Sequence, residues 1–255
     1  MQWIYLSPHF DDVALSCGGV IWDQTRAGEE VHIWTICAGD PPSGEFSDLA
    51  QQLHSRWETG SQAIEKRRIE DINSCQILKA SYFHFEIPDC IYRKVIQTNT
   101  IEMTNRNLDQ VFLYPSEEKM FGEIHPNDEQ LILSLGDKLK EMISNDAVVV
   151  SPFGLGGHVD HLFTRKAIEC LKIPILYYLD YPYVLGSFDY FREVTSNGWR
   201  NRLFKISDEG IDVWVRSILA HESQISTFWT DEEELRESLL YYLSFYQGIV
   251  FWEKY

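Results

Sequence analysis

Apolar runs of strand length alternate with helix-periodic segments along the first 180 residues. The strand-like runs cover residues 3–7, 31–38, 82–87, 111–114, 147–152 and 174–179. Spacings of three and four between apolar positions predict helices over 16–28, 51–79, 127–144 and 159–171, with two more between 208 and 247. This alternation is typical of an α/β fold, in which helices cover both faces of a mostly parallel sheet.

The pattern gives no reason to divide the chain. It has no internal repeat, no low-complexity segment and no stretch with the composition of a linker. At 255 residues it falls within the range of a single α/β unit. We therefore expect residues 1–255 to form one domain.

Composition and charge limit which partners and which cellular location we expect for the protein. The net charge is −17, and the compact basic group at residues 66–68 is too small for a nucleic-acid footprint, so we expect no nucleic-acid partner. The five cysteines are scattered and lack a C-x-x-C pair, which favours reduced thiols in the cytoplasm. The amino terminus lacks a basic n-region, and no apolar stretch reaches about 18 residues, so we predict neither a signal peptide nor a membrane span.

The stretch "YLSPHFDDVALSCGG" at residues 5–19 places His9, Asp11 and Asp12 directly after the first predicted strand. Ligands of open α/β sheets bind beyond the carboxyl ends of the strands. One aspartate could cap the following helix, but that would leave the histidine and the other aspartate unexplained. Two adjacent carboxylates repel each other unless a cation or a proton intervenes. A helix cap and a functional site therefore both remain open for this segment alone.

A second segment, "VVVSPFGLGGHVDHLFTR" at residues 148–165, again follows a strand with a polar cluster. His158 and His161 are three residues apart and would share one side of a helix, whereas Asp160 would point elsewhere. If the two strands are neighbours, the segments combine into a His/Asp/His set. Catalytic zinc takes three such ligands and a water. One aspartate of the first segment would then bind the metal, and its neighbour would remain available as a base.

Together the two segments resemble the LmbE/PIG-L-like family of zinc-dependent N-deacetylases. The first family motif is close to [A/S]-H-P-D-D-E-x-x-x-G-G and stands here as "SPHFDDVALSCGG". The second, G-x-H-x-D-H, stands here as "GGHVDH". The resemblance implies a Rossmann-like α/β fold. It also implies a hydrolase that removes an N-acetyl group, with an N-acetylglucosamine-type sugar or glycoconjugate as the first choice of substrate. The last 70 residues fit the family loosely.

The resemblance also implies roles for individual residues. His9, Asp12 and His161 correspond to the zinc ligands, and Asp11 corresponds to the general base. His158 corresponds to the group that, as a cation, stabilises the oxyanion or protonates the leaving amine. Separately, we expect Asp160 to orient an imidazole from behind, a common role for carboxylates near metal-bound histidines. Iron(II) accepts the same ligands as zinc, so the metal stays open.

Further family positions concern the substrate and the loop shapes. An Arg-x-x-Glu pattern is matched by Arg67 and Glu70, and Asp89 follows the next strand. The resemblance implies that these are substrate-contacting or scaffold positions, with Arg67 and Asp89 as the substrate-binding residues. An ordinary ion pair between Arg67 and Glu70 is the alternative. Phe10 replaces a usual proline, Val13 a usual glutamate and Val159 a common proline. Phe10 and Val13 are not ligand positions, so they bear on loop shape and substrate fit more than on metal binding.

Three other interpretations remain open. The glycine-rich turn before residue 158 could hold a nucleotide or a phosphate at a helix start, although Val159 occupies the third glycine position of a dinucleotide motif. The metal could be structural, or the enzyme could be a zinc amidohydrolase that acts on a non-sugar acyl group. The family is often multimeric, so a homo-oligomer is also open.

Overall fold

In the computed structural model, which describes residues 1–57, 62–95 and 111–255, seven strands form one mixed sheet. The strands are β1 (Gln2–Ser7), β2 (Glu30–Thr35), β3 (Ser81–His84), β4 (Val148–Pro152), β5 (Ile175–Tyr178), β6 (Trp199–Phe204) and β7 (Ile249–Lys254). Their order is β3-β2-β1-β4-β5-β7-β6. Neighbours from β3 to β5 are parallel, and β7 is antiparallel to both β5 and β6. The predicted mostly parallel α/β sheet is confirmed.

Helices surround the sheet in two packed groups, in which α1 and α3 contact α8, and α5 contacts α6. Their bounds are α1 (Asp12–Arg26), α2 (Asp48–Arg56), α3 (Ala63–Ile77), α4 (Glu117–Met120), α5 (Glu129–Met142), α6 (Val159–Glu169), α7 (Phe188–Val194), α8 (Asp208–Leu219), α9 (Glu222–Phe228) and α10 (Glu232–Ser244). No helix in the described parts of the chain is long and apolar enough to cross a membrane.

The glycines of the first motif allow α1 and α8 to pack closely. A Cβ atom on Gly18 would lie 2.5 Å from the ring of Trp214, so a larger residue would force α8 outwards. Trp214 is fully buried, and its Nε1 donates a hydrogen bond to the carbonyl oxygen of Ala14 at 2.7 Å. The "CGG" of the motif therefore serves helix packing and fixes the position of α1 beneath the site.

Several predicted elements differ from the structure. Residues 111–114 do not join the main sheet, because the segment instead bonds to residues 93–95 through two short backbone hydrogen bonds. The predicted helix over 51–79 consists of α2 and α3, and its residues 58–61 lie outside the described residues. The region from 208 to 247 contains α8, α9 and α10 where two helices are predicted, and β6 and β7 are not predicted at all.

The sheet order brings the two motifs together. β1 lies between β2 and β4 and is parallel to both, so the carboxyl ends of β1 and β4 are adjacent. The chain leaves β1 for β2 on one side and later returns to β4 on the other, which makes this a topological switch point where α/β proteins bind ligands. Both strands are almost wholly buried, as expected for apolar runs covered on two faces.

Candidate active site

Three side chains from the two motifs meet where β1 and β4 end. His9 and Asp12 follow β1, and His161 lies in the first turn of α6. The Asp12 carboxylate lies between the two imidazoles: its Oδ2 is 3.1 Å from Nδ1 of His9, and its Oδ1 is 3.3 Å from Nε2 of His161. All three side chains are buried. The two strands are neighbours, as the His/Asp/His interpretation requires.

Each imidazole has a further carboxylate behind it. Nε2 of His9 lies 3.0 Å from Oδ2 of Asp160, and Nδ1 of His161 lies 2.7 Å from Oδ1 of Asp180. A carboxylate on the outer nitrogen of a metal-binding histidine fixes the ring and raises its basicity. The sequence names Asp160 for this role but not Asp180. A signal exists, because "ILYYLD" ends a predicted strand with an acidic residue, as the first motif does.

The electrostatics of this cluster favour a cation between its members. Burial alone would lower the pKa of His161, but Asp12 and Asp180 raise it to about 10. Burial would also lower the pKa of His9, which nearby carboxylates, Asp89 first among them, raise well above its usual value. Burial would raise the pKa of Asp12, yet the two imidazoles hold it well below its usual range. The carboxylates thus attract positive charge, which protons or a metal ion can supply.

The donor atoms suit a divalent metal. His9, Asp12 and His161 offer two nitrogens and a carboxylate, a set that catalytic zinc uses and iron(II) also accepts. Among the described residues, three other groups have ligand atoms within 4.8 Å of one another. They are the three histidines His9, His158 and His161, the set His9, Asp89 and Asp160, and the set Cys90, His158 and Asp160. In the set with Asp12, the carboxylate bridges the two imidazoles, whereas Nδ1 of His158 is bonded to the backbone.

His158 precedes α6 and faces the same site. Its Nδ1 accepts a hydrogen bond from the backbone N–H of Asp160 at 3.2 Å and so caps the helix. A neutral ring that accepts at Nδ1 carries its proton on Nε2. Burial and the neighbouring His9 lower the pKa of His158 well below its usual value. The structure therefore favours a neutral His158 that donates from Nε2, in place of the expected cation.

Asp11 lies beside the cluster but has a different partner. Its Oδ1 accepts a hydrogen bond from Nη2 of Arg67 at 3.2 Å, and its side chain makes no capping bond to α1. Nη1 of Arg67 lies 4.0 Å from Oδ2 of Asp89. Burial would lower the pKa of Arg67, but Asp11 and Asp89 raise it, so the guanidinium stays charged. The three side chains line the same cavity.

The alternative ion pair between Arg67 and Glu70 is wrong. Both residues are buried on the same side of α3, but Arg67 pairs with Asp11. The Glu70 carboxylate instead accepts hydrogen bonds from the backbone N–H and the hydroxyl of Ser223, at 2.9 Å and 2.6 Å. One side of α3 therefore contacts both the active site and α9.

Three backbone donors in and just after the glycine-rich turn are bonded inside the protein. Oδ2 of Asp180 accepts hydrogen bonds from the N–H groups of Gly154 and Leu155, at 2.7 Å and 2.8 Å. Gly154 has φ of +85°, a conformation that favours glycine. The N–H of Asp160 is bonded to His158. Because these donors already have partners, the arrangement argues against the nucleotide- or phosphate-binding alternative.

A buried arginine that the sequence does not single out holds Asp160 in place. Nη2 of Arg93 donates to Oδ1 of Asp160 and lies 3.2 Å from Oδ2 of Asp128. Asp128 also accepts a hydrogen bond from the Tyr114 hydroxyl at 2.7 Å. Burial would lower the pKa of Arg93, but Asp160 and other groups raise it, so its charge persists. This network connects the segment before α5 to the candidate metal ligand His9.

A cavity of about 130 Å³ opens over the residues of the two motifs, including His9, Asp11, Asp12 and His158. Its lining includes the aromatic side chains Trp57, Phe121, Tyr183 and Phe228. The rings of Phe121 and Tyr183 lie 6.1 Å apart, and those of Tyr183 and Phe228 lie 6.2 Å apart, so three of them form a continuous wall. A concave site that combines aromatic surface with convergent polar groups is typical of a small-molecule pocket.

Phe10, which stands in place of a usual proline, is buried rather than directed at a ligand. Its ring packs edge-on against His84, with 5.3 Å between ring centres, and lies 5.6 Å from the Arg67 guanidinium. It belongs to a smaller apolar cluster formed with residues of α2, α3 and the segment around residues 90–92. Phe10 therefore anchors the first motif to that cluster.

Several known proteins that are similar to this chain in sequence or fold are deacetylases. The 2'-N-acetylparomamine deacetylase of Niallia circulans is 24% identical over 255 residues, covering 91% of this chain and 84% of that protein. The zinc-inhibited form of teicoplanin deacetylase Orf2 superposes with a TM-score of 0.78 at 23% identity, over 99% of this chain and 97% of that one. The A40926 pseudoaglycone deacetylase Dbv21 gives a TM-score of 0.72 at 21% identity, over 98% and 96%. At such identities the solved structures establish the fold alone.

The family match covers the part of the chain that carries both motifs. Residues 4–171 match the family model described as PIG-L: GlcNAc-PI de-N-acetylase. This span includes His9, Asp11, Asp12, His158 and His161, and ends before the strand that leads to the carboxylate behind His161. It is more than half of the chain. The chain therefore belongs to the PIG-L, or GlcNAc-PI de-N-acetylase, family.

Proposed function

We propose that the protein is a metal-dependent hydrolase that removes an N-acetyl group from an N-acetylglucosamine-type sugar or glycoconjugate. The observation that carries this proposal is the different surroundings of two adjacent aspartates. Asp12 lies between two imidazoles, whereas Asp11 is bonded to Arg67, and both aspartates line the cavity. Hydrolytic metal enzymes need such a ligand set with a carboxylate beside it that can move a proton. The family match supports the same reaction.

In this proposal His9, Asp12 and His161 hold the metal, with zinc as the first choice. When bound, zinc would supply a water with a pKa of about 7 and a positive charge for the acetyl carbonyl oxygen. Asp160 and Asp180 keep the two imidazoles oriented through their outer nitrogens. One solved relative is described as zinc-inhibited, so the metal should be titrated rather than added in excess.

Asp11 and His158 move the protons. Asp11 takes a proton from the attacking water, and its bond to Arg67 restricts the carboxylate to one orientation. As the carbonyl oxygen gains negative charge, Nε2–H of His158 donates a hydrogen bond to it. The C–N bond then breaks, and Asp11 returns its proton to the leaving amine. The products are acetate and the free amino sugar.

The cavity and the relatives support a small sugar-like substrate. The aromatic wall offers apolar area for one face of a ring, and Arg67 and Asp89 offer polar contacts next to Asp11. One relative deacetylates 2'-N-acetylparomamine, according to its name. All five cysteines are free, which supports a cytoplasmic location for the enzyme and its substrate.

The direct test is metal-dependent acetate release. Purified protein is treated with a chelator, reloaded with one equivalent of zinc or iron(II), and incubated with N-acetylglucosamine, N,N'-diacetylchitobiose or 2'-N-acetylparomamine. We expect release that the chelator abolishes and one equivalent of metal restores. Chelator-sensitive release from N-acetyl amines that lack a sugar ring, but not from these sugars, would favour the non-sugar amidohydrolase. No chelator-sensitive release from any compound would overturn the proposal.

The division of roles between the two aspartates has its own test. Asp11→Asn should retain the metal and lose about 10²–10⁴-fold in kcat, because it removes the general base but no ligand. His158→Ala should also retain the metal, whereas the three-histidine alternative requires its loss. Metal content by mass spectrometry and steady-state kinetics measure both effects. Glu65→Gln, at an exposed position of α3, is the control and should change neither. A metal-free Asp11→Asn protein would contradict the assignment.

A further inference from the structure

One wall of the cavity comes from a part of the chain beyond the family match of residues 4–171. α9 places Gln224, Thr227 and Phe228 along this wall. The helix has seven residues, too few to be stable by itself, so its position depends on contacts with the rest of the protein. Those contacts determine which α9 side chains a ligand can reach.

A buried relay fixes α9 to α3. The Glu70 carboxylate accepts hydrogen bonds from the backbone N–H and the Oγ–H of Ser223, at 2.9 Å and 2.6 Å. Oγ of Ser223 accepts a hydrogen bond in turn from Nε2 of Gln224, at 2.9 Å. None of the three residues is more than 6% exposed. Hydrogen bonds to a buried carboxylate are among the stronger ones in proteins, so this relay holds the start of α9 firmly.

The relay also sets the orientation of the Gln224 amide. Because one N–H of Nε2 is bonded to Ser223, Oε1 is the acceptor left for a ligand in the cavity that Gln224 lines, beside the second N–H of Nε2. Phe228, one turn further along α9, continues the aromatic wall through Tyr183. A hydrogen-bond acceptor next to an aromatic wall suits a hydroxyl or amino group on a ring whose apolar face lies against the wall.

We propose that Gln224 contacts the substrate by accepting a hydrogen bond from a hydroxyl group of the sugar ring. Glu70 and Ser223 are positioning residues that hold its amide. The inference rests on the proposed deacetylation of an amino sugar and goes beyond it, because it assigns sugar recognition to α9. It also gives Glu70 a role. In the Arg-x-x-Glu pattern of α3, Arg67 contacts Asp11, and Glu70 holds α9, which carries Gln224.

The test uses Gln224→Met, which keeps the side-chain volume and removes the acceptor, and Ser223→Ala, which removes the hydroxyl of the relay. Ser226→Ala is the control, at an exposed position of the same helix. For the N-acetyl sugar that is hydrolysed fastest, Gln224→Met should raise KM about 10-fold and change kcat less than about 3-fold, as expected for one lost hydrogen bond. Ser223→Ala should raise KM in the same direction, and Ser226→Ala should match the wild type.

A series of deoxy sugars distinguishes loss of the hydrogen bond between Gln224 and the substrate from general damage to the fold. Removing the contacted hydroxyl from N-acetylglucosamine should cost the wild type about 10-fold in kcat/KM and cost Gln224→Met almost nothing, because the partner is already gone. Additive losses for every monodeoxy analogue, or a wild-type KM for Gln224→Met, would overturn the inference. Both of these results require a wild-type enzyme that is active. If the proposed function itself is wrong, the wild type will show no chelator-sensitive acetate release.

Discussion

Two groups of paired imidazoles and carboxylates lie at strand ends of the same sheet, and they differ in whether a ligand in the cavity can reach them. In the first, His9 and His161 share Asp12, and each ring has another carboxylate behind it. In the second, Nε2 of His84 at the end of β3 lies 2.6 Å from Oδ2 of Asp71 on α3. The same oxygen lies 3.3 Å from the donating Thr35 hydroxyl.

The difference shows that a buried imidazole–carboxylate pair is not by itself a site. His84 and Asp71 are each other's hydrogen-bond partners, and neither is among the described residues that line the cavity. The first group brings several carboxylates around two imidazoles, so a cation can be bound there at a smaller cost than elsewhere in the interior. Phe10 lies between the two groups: its ring packs against His84, and the next residue, Asp11, lines the cavity.

The largest contrast is expected for matched substitutions of the two histidines. His161→Gln should abolish stoichiometric metal binding and acetate release, because it removes a proposed ligand and leaves Asp12 with one imidazole. His84→Gln should bind one equivalent of metal and keep kcat within a few-fold of the wild type. Metal content after dialysis and initial rates of release measure both. Equal loss of metal in the two variants would contradict the distinction drawn between the groups.

A smaller contrast is expected for the carboxylates behind the rings. Asp180→Asn should weaken metal binding about 10–100-fold, because Asp180 orients His161 without itself being a proposed ligand. Asp71→Asn should leave metal affinity unchanged and lower the free energy of unfolding by about 1–3 kcal/mol, the usual cost of weakening a buried polar pair. Competition with a chromophoric chelator gives the affinities, and urea denaturation gives the stabilities. Tight metal binding by Asp180→Asn would show that the outer carboxylate is dispensable.

The parts of the fold that could be predicted are those with a strong local pattern. β1 and β4 are buried apolar runs followed by polar clusters, so their strand ends and the neighbouring motifs are visible in the sequence. β6 carries "WRNRLF", and most of its side chains are exposed, so it has no apolar run to detect. It is a strand because it pairs with β7 along its whole length, which only the tertiary structure reveals.

The site follows the same rule. His9, Asp11, Asp12, His158 and His161 lie in two short motifs whose spacing carries chemical information. Their supporting residues do not: Asp180 reaches His161 from the next strand end, and Arg93 reaches Asp160 from 67 positions away. Such partners depend on which strands become neighbours. An isolated acidic or basic residue in the sequence does not show whether it will be buried.

The last expected effect is a pH dependence of the stability of the chelator-treated protein. The pKa of His161 is raised to about 10 in the fold, against about 6.5 in an unfolded chain. Its contribution to stability is therefore complete below about pH 6.5 and is lost as the pH rises through about 10. The free energy of unfolding should fall over this range, and metal affinity should rise because fewer protons compete.

The histidine variants isolate this effect from other groups that titrate in the same range. Urea denaturation of the metal-free protein at pH 7 and pH 9.5 should show a smaller fall for His161→Gln than for the wild type, since the variant lacks the imidazole that takes up the proton. His84→Gln keeps His161 and its carboxylates, so it should show the wild-type fall. If His161→Gln and the wild type fall equally, the carboxylates around His161 do not hold a proton there, and the basis for a cation site between the two motifs is weakened.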